Sequence, residues 1–291
     1  MRSQSQTKIG IIGGSGLYQL EGLSHIKQEP VLTPFGSPSD SYITGKLDGV
    51  DLVFLPRHGR DHSLLPSELN YQANIFGFKQ LGVTHLISVT AVGSLKEEIP
   101  PLDIVIPDQL VDRTVNRKST FFGNGIVAHV PFSDPFCPDL SALLFDCAGA
   151  CKARVHKGGT LVTIEGPAFS TRAESKLYQS WGIDIIGMTA MQEAKLAREA
   201  EICYAALAMV TDYDCWREET ESVTVSTVLD NLSKNTALAG KILNRSVSAV
   251  SGSRTCLCAE SLNNAIMTPP DRIDDQTKED LAPLIRKYMP N

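Results

Sequence analysis

Seven short apolar runs alternate with helical patterns along most of this chain. A continuous apolar run predicts a strand that is buried on both faces of a sheet, and helices between such strands cover those faces. The alternation therefore predicts an α/β fold, a three-layer single domain over residues 1–291 with a central mixed β-sheet flanked by helices. The predicted strands are 8–12, 51–55, 84–90, 103–106, 160–165, 183–187 and 204–211.

Six further segments have helical patterns. Two of them are followed directly by glycine, Gly82 and Gly182, at the position where glycine commonly ends a helix. The stretch 111–136 is predicted to be an excursion from the sheet rather than a core element, and 262–276 is predicted to be a loop. The predicted helices are 71–81, 172–181, 191–200, 223–232, 238–250 and 278–288.

Composition and charge argue against several classes of protein. The chain is 42% hydrophobic and 21% charged, as expected of a globular protein, and its net charge of -6 argues against a general binder of nucleic acid or anionic membranes. Its polar start carries no signal-peptide pattern, and no apolar run approaches the length of a membrane span. The sequence therefore predicts a cytoplasmic protein with no membrane partner.

The cysteines give no zinc-type pattern. There are seven of them and no CxxC pair, so no metal site is predicted, and an odd number in a cytosolic chain indicates mostly free thiols. Cys256 and Cys258 are either two reduced thiols near the surface or a labile redox pair. The others are Cys137, Cys147, Cys151, Cys203 and Cys215.

Two carboxylates follow the last predicted strand. The apolar run 205–210 leads through Thr211 to Asp212 and Asp214. Acids at the carboxyl end of a buried strand lie where open α/β sheets bind ligands. Side chains two residues apart on an extended strand point the same way, so both acids could meet one flat ligand edge. The alternative is that they cap the next helix or remain solvated.

Several other strand ends carry groups that suit an anion or a small ligand. The glycine-rich segment 13–16 can direct backbone N–H groups and the Ser15 hydroxyl at an anion, or form a plain tight turn. It lacks the third glycine of a dinucleotide fingerprint and the Gly-Lys of a phosphate-binding P-loop. Segments 90–94, 165–172 and 187–193 place hydroxyls or amides beside apolar residues, where a single one could be a helix cap.

A guanidinium and an imidazole follow the second predicted strand, at Arg57 and His58. The planar fork of arginine matches phosphate oxygens. His58 and His62 have the spacing of a metal pair on a helix, but Gly59 disfavours a helix there and no third ligand is apparent. Phosphate binding is therefore the preferred interpretation of this segment, ahead of a metal site or a surface loop.

Taken in order, these segments resemble the trimeric branch of the purine nucleoside phosphorylase superfamily, and within it the 5'-methylthioadenosine phosphorylases. The resemblance covers roughly residues 8–250. It rests on the segments 13–16, 57–59, 70–74, 90–94, 165–172, 187–189 and 211–216.

The resemblance implies a homotrimeric pentosyltransferase that needs no cofactor, because inorganic phosphate is the co-substrate. Phosphate attacks the ribosyl C1' and the purine leaves. The implied phosphate pocket is Ser15, Arg57, His58, Thr90, Ala91 and Thr189. The implied nucleoside contacts are Phe169 on the base, Met188 on the ribose, Asp212 and Asp214 on the purine N7 and 6-amino edge, Val225 and Val228 near the 5' substituent, and His129 from a neighbouring subunit.

The resemblance also bears on the choice of nucleoside. Relatives that act on 6-oxopurines carry Asn at the position of Asp212 and Glu at that of Ser170, whereas a carboxylate accepts from a 6-amino group. Val225 and Val228 are apolar where binders of a 5'-hydroxyl place a polar residue. The implied reaction is cleavage of S-methyl-5'-thioadenosine to adenine and 5-methylthioribose 1-phosphate, in methionine and purine salvage. The alternatives are a phosphorylase of methylthioinosine or 6-oxopurine nucleosides, and a non-catalytic nucleotide-binding module.

Overall fold

The framework of the protein is a mixed sheet of eleven strands with helices packed against it. The structure is a computed structural model, and it describes residues 7–14, 20–217, 225–250 and 254–289. All seven predicted strands are present. Four more, at 24–29, 42–47, 109–113 and 155–157, lack a long apolar run, and the first of these is exposed along its whole length. The strands are β1 (Lys8–Gly13), β2 (Ser24–Glu29), β3 (Tyr42–Leu47), β4 (Val50–Pro56), β5 (His85–Ser94), β6 (Ile104–Ile106), β7 (Gln109–Arg113), β8 (Val155–Lys157), β9 (Thr160–Ile164), β10 (Ile185–Gly187) and β11 (Cys203–Asp212).

The helices confirm three of the predicted segments closely and correct the others. The two helices predicted over 223–250 are one continuous helix, and Asn235, in the polar stretch between the two predictions, donates to the Val210 carbonyl at 3.0 Å. The last predicted helix is broken where Pro283 removes a backbone donor. The helices are α1 (Tyr71–Gln80), α2 (Pro138–Ala150), α3 (Arg172–Ser180), α4 (Ala190–Glu199), α5 (Val225–Ala249), α6 (Asp275–Asp280) and α7 (Ala282–Ile285).

Four parallel neighbours form the centre of the sheet, in the order β4, β1, β5 and β11. The carboxyl ends of parallel neighbours lie at one edge, which is where open α/β sheets place ligands. β10 pairs antiparallel with the end of β5, through Ile185 opposite Ser94 and Ile186 opposite Gly93. The segments that follow β1, β4, β5, β10 and β11 can therefore meet at one place.

The stretch 111–136 is part of the core. The prediction that it is an excursion from the sheet, with no core role, was therefore wrong. Phe121, Phe122, Ile126 and Phe136 are all buried in the larger apolar cluster. The ring of Phe121 lies 5.3 Å from that of Phe35 and 5.8 Å from that of Phe76, measured between centroids. These contacts are tertiary and leave no periodic pattern in the sequence, which is why the burial was not predicted.

The described helices include none that is both long enough and apolar enough to span a membrane.

Candidate active site

A cavity of about 450 Å³ opens at the carboxyl edge of the central strands. It brings together most of the residues that the sequence singled out, from six separate segments of the chain. The glycine-rich segment contributes Gly14, while Ser15 lies outside the described residues. The predicted site residues that line the cavity are Arg57, His58, Thr90, Ala91, Phe169, Met188, Thr189, Asp212 and Asp214.

Arg57 lines this cavity but is held by a buried carboxylate. Its Nε lies 2.5 Å from Glu193 Oε1 and its Nη2 lies 3.2 Å from Glu193 Oε2, with Arg57 4% exposed and Glu193 fully buried. Nη2 also donates to the Ser88 hydroxyl at 2.7 Å, and Nη1 donates to the Val89 carbonyl at 3.0 Å. Burial alone would lower the pKa of Arg57, but the Glu193 carboxylate outweighs it and raises that pKa. The guanidinium is thus a fixed charge at the cavity wall.

Glu193 is the centre of a network that the sequence did not predict. Its Oε2 accepts from the Ser88 hydroxyl at 2.8 Å and from the Tyr204 hydroxyl at 3.0 Å, in addition to Arg57. Four hydrogen bonds to one buried carboxylate fix both its orientation and that of the guanidinium. Glu193 lies on α4, and its partners lie on β5, on β11 and directly after β4, so no local pattern could have indicated all of them.

His58 is neutral at physiological pH. Its Nδ1 lies 2.8 Å from the Leu64 carbonyl, so Nδ1 carries the hydrogen and Nε2 carries a lone pair. Burial lowers the pKa of His58 to about 4, and the charge of Arg57 lowers it further in the same direction. The imidazole can therefore accept a hydrogen bond through Nε2, and it does not add a positive charge to the site.

The N-cap residue of α4 also lines this cavity. Thr189 occupies the N-cap position, is 4% exposed, and makes no side-chain bond that caps the helix. The N-terminus of a helix offers unpaired N–H groups and the positive end of the helix dipole, which together favour an anion. Thr90 and Ala91, from β5, line the cavity as well.

Asp212 and Asp214 both line the cavity, but not because of strand alternation. A β-bulge interrupts the pairing of β11 between Val210 and Asp212, and the strand ends there. Asp214 then takes a left-handed conformation, with φ of 51°, and its N–H donates to Asp212 Oδ1 at 2.8 Å. A tight turn, stabilised by an aspartate side chain, therefore brings the two carboxyl groups together.

Burial raises the pKa values of both acids. Asp212 has partners for each oxygen, since Oδ2 accepts from the Thr211 hydroxyl at 2.7 Å and Oδ1 accepts from the N–H of Asp214. Asp214 is 6% exposed, and its buried Oδ2 has no hydrogen-bond partner among the described residues. The Asp212 carboxylate raises the pKa of Asp214 still further. Both carboxyl groups therefore bind a proton more readily than an aspartate in water does.

Arg117 supports the wall of the cavity and was not predicted. Its side chain is buried beside Glu165, with Nε 3.1 Å from Glu165 Oε2, and its Nη1 donates to the Met188 carbonyl at 2.5 Å. Nη1 also donates to the Tyr71 hydroxyl at 3.0 Å. One side chain from the segment after β7 thus holds both Glu165, which follows β9, and the Met188 carbonyl, which follows β10 and precedes Thr189.

Three predicted nucleoside contacts are not tested by this geometry. Val225 and Val228 belong to α5, but their side chains lie outside the described residues. His129 is exposed and does not line the cavity of its own chain, and its N–H donates to the Ala265 carbonyl at 2.9 Å.

Similarity to known proteins is consistent across sequence and structure. The family model of the phosphorylase superfamily matches residues 8–248. The S-methyl-5'-thioadenosine phosphorylases of Geobacter sulfurreducens and Thermosynechococcus vestitus are 56% and 54% identical to this chain, each over 97% of it and 99% of their own length. A methylthioadenosine phosphorylase from an Antarctic soil metagenomic library superposes with a TM-score of 0.92 at 46% identity, over 96% of this chain and 99% of that one.

A mutant adenosine/methylthioadenosine phosphorylase of Schistosoma mansoni, solved in complex with adenine, superposes with a TM-score of 0.82 at 35% identity, over 97% of this chain and 98% of its own. The chain therefore belongs to the phosphorylase superfamily. The resemblance inferred from its motifs, to the methylthioadenosine phosphorylases, is confirmed, as is the predicted α/β fold with a central mixed sheet.

Proposed function

We propose that this chain is a pentosyltransferase that uses inorganic phosphate to cleave S-methyl-5'-thioadenosine, releasing adenine and 5-methylthioribose 1-phosphate. The observation that carries the proposal is the convergence of a fixed guanidinium, a helix N-terminus and two carboxyl groups with raised pKa values on one cavity. Phosphorolysis needs both kinds of group, because an anion must be held against the sugar while negative charge grows on the departing base. The relatives named above support the choice of nucleoside.

The phosphate is bound, in this proposal, by Arg57, His58, Thr90, Ala91 and Thr189, with Ser15 from the glycine-rich segment. Among the described residues, Arg57 Nη1 donates only to the Val89 carbonyl, so one of its hydrogens is available to an incoming oxygen. His58 can accept from a protonated phosphate oxygen through Nε2. The N–H groups at the start of α4 supply donors that need no reorganisation when the anion arrives.

The base is held by Phe169 and by the two acids, with Met188 against the ribose. Phe169 is 46% exposed at the cavity wall, so one face of its ring is open to stack on a purine. Asp214 donates its proton to the purine N7 as the glycosidic bond breaks, and Asp212 accepts from the 6-amino group. General acid assistance of this kind is typically worth about 10²–10⁴ in rate.

The first test is a substrate panel with and without phosphate. Adenine should be released from methylthioadenosine only when phosphate is present, and faster than the bases of methylthioinosine and inosine. Preference for methylthioinosine or inosine would replace the proposal with the 6-oxopurine alternative. Binding without any release of base would indicate a nucleotide-binding module instead.

Two substitutions separate the roles of the acids. Asp214→Asn should lower kcat by about 10²-fold or more, as expected for loss of a general acid. Asp212→Asn should lose most activity on methylthioadenosine and gain relative activity on 6-oxopurines, because an amide can donate to an oxygen at position 6. Tyr213→Phe is the matched control, since the Tyr213 hydroxyl points to the Glu97 carbonyl at 3.3 Å and the residue does not line the cavity.

We further propose that the active protein is a homotrimer in which His129 reaches the cavity of a neighbour, and that it acts in the cytoplasm in purine and methionine salvage. The family resemblance supports this assembly. The exposure of His129 in the single chain is compatible with a contact to another subunit. Val225 and Val228 are proposed to lie against the methylthio group.

A further inference from the structure

A cluster of four cysteines lies away from the active-site cavity. Their Sγ atoms all lie within 4.8 Å of one another, and the closest recorded pair, Cys203 and Cys256, is 3.4 Å apart. Cys137, Cys203 and Cys258 are buried and Cys256 is half-buried, and all four are free thiols. They come from the N-cap of α2, the first residue of β11 and the segment that follows α5.

The backbone around the cluster is fixed independently of the sulfur atoms. The N–H of Cys137 donates to the Tyr204 carbonyl at 2.7 Å, which joins the start of α2 to β11. Arg254 donates to the Glu201 carbonyl at 2.8 Å, and the Thr255 hydroxyl donates to Asp139 at 2.7 Å. These bonds hold the C-terminal segment beside both of the other cysteine-bearing elements, so the four sulfurs are brought together by the fold.

The spacing of the sulfurs suits a tetrahedral metal ion. With Zn–S bonds of about 2.3 Å, the sulfurs of a four-cysteine zinc site lie about 3.8 Å apart. The cluster, with all Sγ atoms within 4.8 Å, needs only small rotations of side chains to reach that geometry. Four soft sulfur donors in a tetrahedral arrangement select zinc or iron over magnesium or calcium.

The surroundings provide access for an ion and a compensating charge. A second cavity, of about 220 Å³, is lined by Cys137, Cys203 and Cys256 together with His85 and Arg254. This opening gives a path from solvent to the sulfurs. Four thiolates around a divalent cation carry two negative charges, and the guanidinium of Arg254 lines the same cavity, where it offsets part of that charge.

We propose that Cys137, Cys203, Cys256 and Cys258 bind one Zn²⁺ ion per chain as a structural site. Each thiol releases its proton to solvent as its Zn–S bond forms, and no oxidant is needed. Protein sulfur atoms fill all four coordination positions of the ion, so no position is open to a substrate. The site therefore has a structural role, in which it links the C-terminal segment to α2 and β11. That segment carries buried apolar side chains of the main core, including Leu262, Ile273, Leu284 and Ile285.

The test uses the full chain, purified under reducing conditions and equilibrated with Zn²⁺ before free metal is removed. Elemental analysis should give one zinc per chain, and X-ray absorption should show four sulfur neighbours at about 2.3 Å. A thiol reagent should leave Cys256, the half-buried member of the cluster, unmodified until a chelator is added, whereas the half-buried Cys151 and Cys215 should react in either case. The variant Cys256→Ser/Cys258→Ser should lose the zinc, whereas the matched control Cys147→Ser/Cys151→Ser should keep it.

Three results would overturn the proposal: no zinc retained by the reduced wild-type protein, iron in place of zinc, or a chain mass that shows disulfides within the cluster after purification. If the double serine variant does not fold, the test is made by removing the metal from the wild-type protein. Removal of the metal by chelation should then lower its melting temperature, and added Zn²⁺ should restore it. An unchanged melting temperature would also count against a structural metal.

Discussion

Replacing Glu193 by glutamine should destabilise the protein strongly, because it leaves the Arg57 charge without its buried partner. Glu193 is fully buried and contacts Arg57 through both carboxylate oxygens, at 2.5 and 3.2 Å. Removing one member of such a pair costs about 3–5 kcal/mol. Arg57 lines the cavity, so water can approach one side of it, and the lower end of that range, about 3 kcal/mol, is expected for Glu193→Gln.

The measurement is thermal unfolding at pH 6 and a fixed protein concentration. With an unfolding entropy of about 2.1 cal/mol/K per residue, 1 kcal/mol corresponds to roughly 1.6 °C in a chain of 291 residues, so Glu193→Gln should melt about 5 °C lower. Phosphate should recover part of this loss, because an anion beside Arg57 supplies the negative charge that the variant lacks. The stabilisation by phosphate should therefore be greater in the variant than in the wild type.

Glu199→Gln is the matched control, on the same helix and with the same change of side chain. Glu199 accepts from the Thr120 hydroxyl and the Phe121 N–H, each at 2.7 Å, and no ion pair to it is recorded among the described residues. Burial raises the pKa of the Glu199 carboxyl to about 7, so it is largely protonated at pH 6, and its replacement by glutamine should cost no more than about 1 kcal/mol, the value of one hydrogen bond. If Glu193→Gln melts within about 2 °C of this control, Arg57 does not depend on Glu193 for its charge balance.

Three further outcomes are expected. Arg57→Ala should raise the KM for phosphate far more than it weakens nucleoside binding, and an equal loss of nucleoside affinity by calorimetry would contradict its assignment. Gly93→Ala should raise the KM for nucleoside and cost about 1–3 kcal/mol of stability, since a Cβ there would lie 3.0 Å from Asp212 Oδ1 and 3.0 Å from Ile186 Cγ2. His129→Ala should weaken nucleoside binding while leaving a trimer by light scattering, and a fully active wild-type monomer would exclude the proposed contribution of a neighbour.

The sequence predicted those parts of the site that depend on where a buried strand ends. Arg57 and Asp212 each follow a continuous apolar run, and parallel neighbours bring such ends to one edge. Both side chains line the cavity. The turn at Asp214 was not predictable in the same way, because a bulge and a left-handed residue replace the regular alternation on which the expectation relied.

Side chains whose partners are distant in the sequence were missed. Glu193 and Arg117 have no motif of their own, and each acquires its role from hydrogen bonds across elements. The cluster of four cysteines was missed for the same reason. Cys137, Cys203, Cys256 and Cys258 are too far apart in the sequence to form a recognisable zinc-binding motif, and only the fold brings them together. Local periodicity records which face of an element is buried, and it carries no information on which polar groups will meet there.

Glu199 should make the stability of the protein depend on pH between about 4.5 and 7. Burial raises the pKa of this carboxyl from 4.5 to about 7, against the opposing effect of its hydrogen bonds from Thr120 and Phe121. The folded state therefore holds the proton more tightly than the unfolded state does. Its contribution to stability is complete below pH 4.5 and is lost as the pH rises through 7.

Each pKa unit is worth about 1.4 kcal/mol, so the contribution lost across this window is roughly 3 kcal/mol. Glutamine does not titrate, so Glu199→Gln should be less stable than or equal to the wild type at pH 4.5 and should gain relative to it as the pH rises to 8. Denaturant unfolding of both proteins across this range measures the difference directly, and Glu98→Gln makes the same charge change at an exposed position as a control. A difference between wild type and Glu199→Gln that stays constant from pH 4.5 to 8 would show that the buried carboxyl titrates as it does in the unfolded chain.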